Sequence, residues 1–258
     1  MNVTVFAARE QDRPQAAALA KRLDAELTVN EVVDALQAPL ALRIGEEGLS
    51  LVGDGMVLRA DFVSMLPRLR PGKLQGEMLV RAAKLKGAPS PKAFDATAGF
   101  GEDSLLLAAA GFDVTLYEND PVIAALLQDA LERAKTHPEL ASIVKRMHFH
   151  EGDSIGALKR MAEADSADEM PDIVYLDPMF PARSKSAAVK KKFQLLHHLE
   201  RPCSNQEEIL EAALSVHPRK VIVKRPIKGP HLADRKPSYS LAGKAVRYDC
   251  IVPPPQTD

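Results

Sequence analysis

The sequence predicts an α/β protein, in which a small N-terminal α+β unit precedes a larger unit built on a mostly parallel sheet. Three observations predict it. From residue 92 to about residue 225, short apolar runs rich in β-branched residues alternate with stretches of helical period, the pattern of successive βαβ units. Before that, residues 40–62 carry strand-length runs separated by glycine-containing turns, the pattern of an antiparallel meander. Between the two, Pro67 and Pro71-Gly72 interrupt both rhythms and mark a boundary, giving units 1–72 and 73–258.

The elements follow in order. Val3 to Ala7 reads as a first strand, and Asp12 with Pro14 starts a helix whose apolar positions are Ala17, Leu19, Ala20 and Leu23. Leu40–Ile44, Leu49–Val52 and Met56–Ala60 read as strands, joined through Gly45–Gly48 and Gly53-Asp54-Gly55. Gln75–Leu85 reads as a helix, ended by Gly87-Ala88-Pro89. The alternation then runs Lys92–Asp95 strand, Glu102–Ala110 helix, Val114–Glu118 strand, Val122–Lys135 helix, Met147–Glu151 strand and Ile155–Ala164 helix. It continues with Asp172–Asp177 strand, Gln206–Val216 helix and Lys220–Lys224 strand. Tyr239–Leu241 and Ala245–Val252, joined at Ala242-Gly243-Lys244, read as a closing antiparallel hairpin.

Composition sets bounds on function. The chain has 258 residues, 46% of them apolar and 27% charged, which supports a sizeable core and excludes a disordered or collagen-like chain. Cys203 and Cys250 are its two cysteines, too few for a disulfide framework, and without a Cys-x-x-Cys pair no zinc site is expected. No apolar run approaches the ~18 residues of a membrane span, and the first residues are too weakly apolar for a signal peptide. A cytoplasmic location and no membrane partner are the expectation.

Four loops carry the chemistry, each after a predicted strand. The first is Asp95-Ala96-Thr97-Ala98-Gly99-Phe100-Gly101-Glu102-Asp103, where Gly99 and Gly101 let the backbone turn tightly and approach a ligand. No Gly-Lys-Ser/Thr follows, and two carboxylates at the helix start repel phosphate, so a neutral or cationic ligand is expected. The second is Tyr117-Glu118-Asn119-Asp120. An acidic residue about 20 positions beyond a Gly loop can accept hydrogen bonds from both ribose hydroxyls, and Asp120 before Pro121 suits a helix cap. The third is Gly152-Asp153-Ser154, with Asp153 able either to bind an adenine amino group or to cap the next helix. The fourth is Asp177-Pro178-Met179-Phe180-Pro181. It offers a carboxylate at a strand's C-terminal end, a stiffened carbonyl and a ring, the groups needed to hold a flat base by its exocyclic amine.

Together the four loops resemble those of class I S-adenosylmethionine-dependent methyltransferases. Asp177 to Pro181 is similar to the Asp/Asn-Pro-Pro-Tyr/Phe loop of amino-group methyltransferases, with Met179 in place of the second Pro. Asp95-Ala-Thr-Ala-Gly-Phe-Gly, Pro121-Val-Ile-Ala-Ala-Leu-Leu, Val174-Tyr-Leu-Asp-Pro-Met-Phe-Pro, Ser186-Ala-Ala-Val-Lys-Lys and Val221-Ile-Val-Lys-Arg-Pro occur in the same order in one family. This is the bacterial ribosomal RNA small subunit methyltransferase J family, which methylates N2 of a guanine in 16S rRNA, and the resemblance covers roughly residues 75–250. It implies a Rossmann-like, seven-stranded fold with the C-terminal hairpin, S-adenosylmethionine as methyl donor and 16S rRNA or the 30S subunit as partner. It implies cofactor contacts at Asp95, Thr97, Gly99, Gly101, Glu102, Asp103, Glu118, Asn119, Asp153, Ser154 and Asp177. At Glu102 and Asn119 the family carries Arg, so the implied contact there is by side chain or by backbone, the backbone contact being the one that survives the change of residue. Asp177, Pro178 and Phe180 are the implied catalytic residues. Methyl transfer to another RNA, to DNA or to protein glutamine is the alternative within enzymes, and a non-catalytic cofactor-binding RNA chaperone the alternative outside them.

The net charge is −1, which taken as a sum argues against a nucleic-acid partner. By region, residues 180–258 carry a net of +8 and residues 59–92 a net of +6, leaving −15 for the remainder. Lys185, Lys190, Lys191 and Lys192 directly follow the Asp177 loop, and Lys224 and Arg225 end the next strand. All six are candidate phosphate contacts. His197-His198 is not a metal site, because neighbours on a helix point apart.

Overall fold

The structure, a computed structural model, describes residues 3–28, 40–53, 55–164, 170–178 and 205–254. Val3–Ala7 (β1) is a five-residue apolar strand, and Arg13–Leu23 (α1) carries Pro14 in its first turn. Glu26–Thr28 (β2), Leu40–Gly45 (β3), Gly48–Gly53 (β4) and Met56–Leu58 (β5) follow. These strands form one sheet in the order β2-β1-β3-β4-β5. The expected meander is present as β3, β4 and β5, which pair antiparallel. The same sheet also holds β1, parallel to both β2 and β3.

The helix expected over Gln75–Leu85 is shorter, and two further turns precede it: Leu66–Leu69 (α2), Pro71–Leu74 (α3) and Met78–Ala83 (α4). Proline explains the breaks. Pro67 and Pro71 lack the N–H that would continue a preceding helix, so each opens a new turn instead. Glu77, in extended conformation (φ −60°, ψ 130°), separates α3 from α4.

The larger unit begins at Lys92–Asp95 (β6). After it come Glu102–Ala109 (α5), Asp113–Glu118 (β7), Pro121–Lys135 (α6), Ala141–Val144 (α7), Met147–Glu151 (β8), Ser154–Ala164 (α8) and Ile173–Leu176 (β9). Gln206–Ser215 (α9), Lys220–Pro226 (β10), Tyr239–Ala242 (β11) and Val246–Ile251 (β12) complete the described residues. Among these the second sheet has seven strands, ordered β11-β12-β10-β9-β6-β7-β8. The five from β10 to β8 are parallel, and β12 and β11 add as an antiparallel hairpin. All four residues of β9 are buried, as a central parallel strand covered on both faces requires.

Helices cover both faces. Leu105, Leu106, Leu107, Leu127 and Leu131 pack on one, and Leu158, Ile209 and Leu210 on the other, against Val174, Leu176, Val221 and Val223. Helix α6 serves two sheets. Leu127, Ala130 and Leu131 join the large core, while Val122, Ile123 and Leu126 pack on Val5, Leu42 and Leu51 of the N-terminal sheet. A helix apolar on two sides is the consequence. Gly48 (φ +97°) lies against this helix: a Cβ there would come within 2.6 Å of Arg133 Nε. Ala60, Phe62 and Met65 already belong to the large core, so the boundary proposed at residue 72 falls in a segment that links the two sheets. No helix among the described residues is long and apolar enough to cross a membrane.

Candidate active site

The chain runs from β6 through α5 to β7 on one side, then returns through β9 to the other side of β6. This reversal opens a crevice at the carboxyl ends of the strands, the general ligand position in α/β sheets. A cavity of about 1500 Å³ occupies it. That exceeds the ~300–1000 Å³ of an ordinary small-molecule site, leaving room for two ligands. Its wall includes Thr97, Gly99, Glu102, Asp103, Glu118, Asn119, Asp177 and Pro178.

Strand β6 ends at Asp95, whose carboxylate turns inward. It accepts from the Thr97 N–H (3.0 Å) and from the Ser104 hydroxyl, and only 1% of the residue is exposed. Burial pushes its carboxyl up to about 7, against these two hydrogen bonds, which hold it down. Asp95 therefore braces the loop from within. Gly99 (φ +54°) and Gly101 (φ +75°) are both left-handed. At Gly101 a Cβ would strike Leu127 Cδ1 at 2.6 Å, while at Gly99 it would meet no protein atom within 4 Å and would occupy open space.

Glu118 at the end of β7 knits two loops together. Its Oε2 accepts from the Gly99 N–H (2.9 Å) and its Oε1 from the Asp120 N–H (2.8 Å). Burial raises its pKa, and the backbone N–H groups oppose the rise. Each oxygen keeps a lone pair for a further donor. Asp120 caps α6 through the N–H groups of Val122 and Ile123 (2.9 and 3.0 Å). Tyr117 is stacked between Phe94 and His150, with centroids 5.2 and 4.9 Å away.

Beyond β9 the Asp177 N–H donates to Thr97 Oγ1 (2.6 Å), which ties the fourth loop to the first. The Asp177 side chain is 37% exposed, so its carboxylate is open to the cavity. Burial raises its pKa, opposed chiefly by the nearby Lys224 charge. Tyr175 OH donates to Asp103 Oδ2 (2.6 Å), and burial together with the Asp103 charge lifts the phenol well above its usual range.

Other sequence-based expectations are placed elsewhere. Asp153 accepts from the Ile155 and Gly156 N–H groups (both 3.0 Å), the capping alternative, and neither it nor the buried Ser154 is in the cavity wall. Lys224 and Arg225, expected as phosphate contacts, are engaged by groups of the protein. The Lys224 ammonium lies 2.7 Å from Asp103 and 2.9 Å from Asp177, and Arg225 is 1% exposed, with its Nε donating to the Pro230 carbonyl (2.9 Å). Phe180, Lys185, Lys190, Lys191, Lys192, His197 and His198 lie outside the described residues.

Sequence reasoning missed one wall of the cavity, contributed by Pro67, Arg68, Lys73, Glu77, Met78 and Tyr248. Arg68 and Glu77 pair there through two 2.8 Å contacts. No local motif marks this wall, because it comes from the 67–78 segment and from β12, far in sequence from the four loops.

A family model described as a putative SAM-dependent methyltransferase matches residues 24–253. The ribosomal RNA small subunit methyltransferase J of Thioalkalivibrio sulfidiphilus is 40% identical over 257 residues, covering 97% of each chain. That of Pseudomonas paraeruginosa is 41% identical over 219 residues, 83% of this chain and 82% of the other. The chain belongs to the ribosomal RNA small subunit methyltransferase J family. A SAM-dependent methyltransferase from Neisseria gonorrhoeae shares the fold, with a TM-score of 0.72 at 28% identity over 97% of this chain and 96% of the other. As a member of the J family, the protein is a methyltransferase whose methyl donor is S-adenosylmethionine. The donor set fits that molecule. Glu118 keeps acceptors for hydroxyls, Gly99 offers a face without a Cβ, and the surrounding carboxylates suit a cation and repel phosphate.

Proposed function

We propose that this J-family methyltransferase acts on the exocyclic N2 of a guanine in 16S rRNA of the small ribosomal subunit. The observation that carries the reading is the Asp177-Pro178 loop, whose carboxylate opens onto a cavity large enough for a base beside the cofactor. The relatives, which are ribosomal RNA small subunit methyltransferases, support the rRNA substrate.

S-adenosylmethionine, when bound, supplies a methyl group already activated on a sulfonium. Glu118 would hold its ribose hydroxyls, and the Gly99–Gly101 backbone and Asp103 side would hold the remainder. The chain's further task is to prepare a poor nucleophile, because the guanine N2 lone pair is delocalised into the ring. Asp177 and the Pro178 carbonyl would accept the two N2 hydrogens, letting the nitrogen pyramidalise and free its lone pair. The Asp177 charge then stabilises the positive charge that develops on N2. Its raised pKa also suits it to take the N2 proton as the amine is alkylated. Phe180 is assigned base stacking on sequence grounds alone. A base in folded RNA must be unstacked to reach this depth, which costs a few kcal/mol.

Parts of the two basic segments meet in the fold. Gly243 of the hairpin turn packs on Met78, and the Lys220 ammonium donates to the Ala82 carbonyl (2.6 Å). These contacts join the 59–92 stretch to the hairpin turn and to β10, and exposed Lys73 of the cavity wall and exposed Lys244 of that turn would serve as contacts for RNA phosphates. Incubation with labelled S-adenosylmethionine, undermodified 30S subunits and naked 16S rRNA tests the reading. Label on a single guanine N2 is expected. Label on another nucleotide position, on DNA or on protein overturns it.

A further inference from the structure

Lys224 has a place that neither a phosphate grip nor a core lysine explains. Strand β10 runs parallel to β9 with Val223 opposite Leu176, so Lys224 and Asp177 leave the sheet side by side. The ammonium touches two carboxylates from different elements: Asp103 Oδ2 in the first turn of α5 at 2.7 Å, and Asp177 Oδ2 at 2.9 Å. The Asp103 oxygen also accepts the Tyr175 hydroxyl at 2.6 Å. The lysine, both aspartates and the tyrosine all line the cavity.

We propose that Lys224 is a positioning residue for methyl transfer, tying the Asp177 carboxylate to Asp103 so that one fixed acceptor faces the target amine. The inference rests on the reading of Asp177 given above. Two carboxylates that share a partly dry site repel, and one of them takes up a proton unless a cation sits between them. A protonated Asp177 would turn a donor toward the N2 hydrogens and could not stabilise a positive nitrogen. Lys224 supplies the cation. Burial acts to lower its own pKa, but Asp103 and Asp177 together outweigh burial and raise it. It stays an ammonium, with three donors and no acceptor, so it cannot itself take the N2 proton. The other groups acting on Asp177 are Arg225 of β10, Asp95 of β6, Tyr175 of β9 and Tyr248 of β12. Of these Arg225 alone is cationic, and its effect on Asp177 is smaller than that of Lys224.

The test compares wild type with Lys224→Met, Lys224→Gln and Lys224→Arg. Steady-state transfer to undermodified rRNA is followed across pH, and the Asp177 carboxyl is titrated by 13C NMR without RNA. For Met and Gln, a fall in kcat of about 10²-fold is expected, as for a misplaced reacting group, with RNA KM within threefold. The acid limb of the kcat profile and the Asp177 titration should both move up by about one pH unit or more, since removing a nearby cation favours the protonated acid. Arg should recover at least a tenth of wild-type kcat. A rise in RNA KM at unchanged kcat would make Lys224 a phosphate contact and overturn the proposal, as would an Asp177 titration that does not move. Should Met impair folding, Gln, which keeps a donor but no charge, decides. Failure of the substrate reading looks different: the wild type itself would leave rRNA unlabelled, while the NMR titration would still report on Lys224.

Discussion

Glu118→Gln isolates the residue that joins the glycine loop to the next strand. In the wild type its two oxygens accept from the Gly99 and Asp120 N–H groups at 2.9 and 2.8 Å. Glutamine keeps the shape but has one oxygen and one NH2. In either orientation of the amide, an NH2 faces a backbone N–H. A hydrogen bond to a charged group is worth about 1.5–3 kcal/mol, and leaving its donor unpaired costs a similar amount. The loss falls on the loop that holds the cofactor, so affinity for S-adenosylmethionine should drop. At ~1.4 kcal/mol per tenfold, Kd should rise roughly 10- to 100-fold. The fold should also lose about 2–4 °C in Tm for each kcal/mol not recovered by local rearrangement. Isothermal titration calorimetry and thermal denaturation on the same samples measure both. Burial raises the Glu118 pKa, so acidification protonates it and the wild type comes to resemble the variant. The Kd ratio should therefore shrink as pH falls. A Kd within threefold of wild type at neutral pH would refute the assignment of Glu118 as the organiser of this loop.

Other predictions follow from the same geometry. Asp177→Asn removes the charge facing the amine and should lower kcat by about 10²–10³-fold while leaving cofactor Kd within a few-fold; single-turnover transfer to undermodified 30S subunits checks it. Asp95 titrates near 7 in the fold and near 4 when unfolded. Between those values the folded state holds the extra proton, so this group's contribution makes stability fall as pH rises, by about 1.4 kcal/mol per unit. Urea denaturation of wild type minus Asp95→Asn should recover that slope and flatten above pH 7. Gly101→Ala forces a side chain into a left-handed residue and onto Leu127 and Phe62. A loss on the order of 1–3 kcal/mol is expected by denaturation. Lys73→Glu combined with Lys244→Glu should raise the rRNA KM and reduce the salt slope of binding, with cofactor affinity unchanged.

The larger unit was legible because its strands announce themselves. Ile173 to Leu176 and Val221 to Val223 are apolar runs flanked by helical periods, and they fold as the adjacent parallel strands that the alternation implies. Strand β2 was not legible, since Glu-Leu-Thr carries no periodicity and is recruited by pairing with β1. The break between α2 and α3 could have been inferred from Pro71, whereas the break between α3 and α4 falls at Glu77 with no proline to mark it. At the site, residues bonded to neighbours in sequence were readable, as with Asp120 capping its own helix. The surroundings of Lys224 were not legible because they depend on register: Val223 opposite Leu176 sets Lys224 beside Asp177, and α5 brings Asp103 from more than a hundred residues away. Arg225, the next residue along, turns to the opposite side of the strand and is buried. Lys-Arg-Pro in the sequence does not reveal that alternation of environments.

The near-zero net charge acquires a meaning once the residues are placed. The depth of the cavity carries Glu102, Asp103, Glu118, Asp120 and Asp177, with the Lys224 ammonium held between two of them. The exposed Lys73 of the cavity wall marks the lip, and exposed Lys244 sits in the hairpin turn that packs beside Met78. A phosphate approaching the depth would meet carboxylates at short range in a partly desolvated site, where repulsion is strongest. At the lip it would meet cations. The same arrangement therefore sorts a nucleotide into its parts, admitting a neutral base to the interior and holding its charged backbone at the rim. On the proposed reading, charge placement would favour a flipped-out base over a free nucleotide phosphate before any base-reading contact is made.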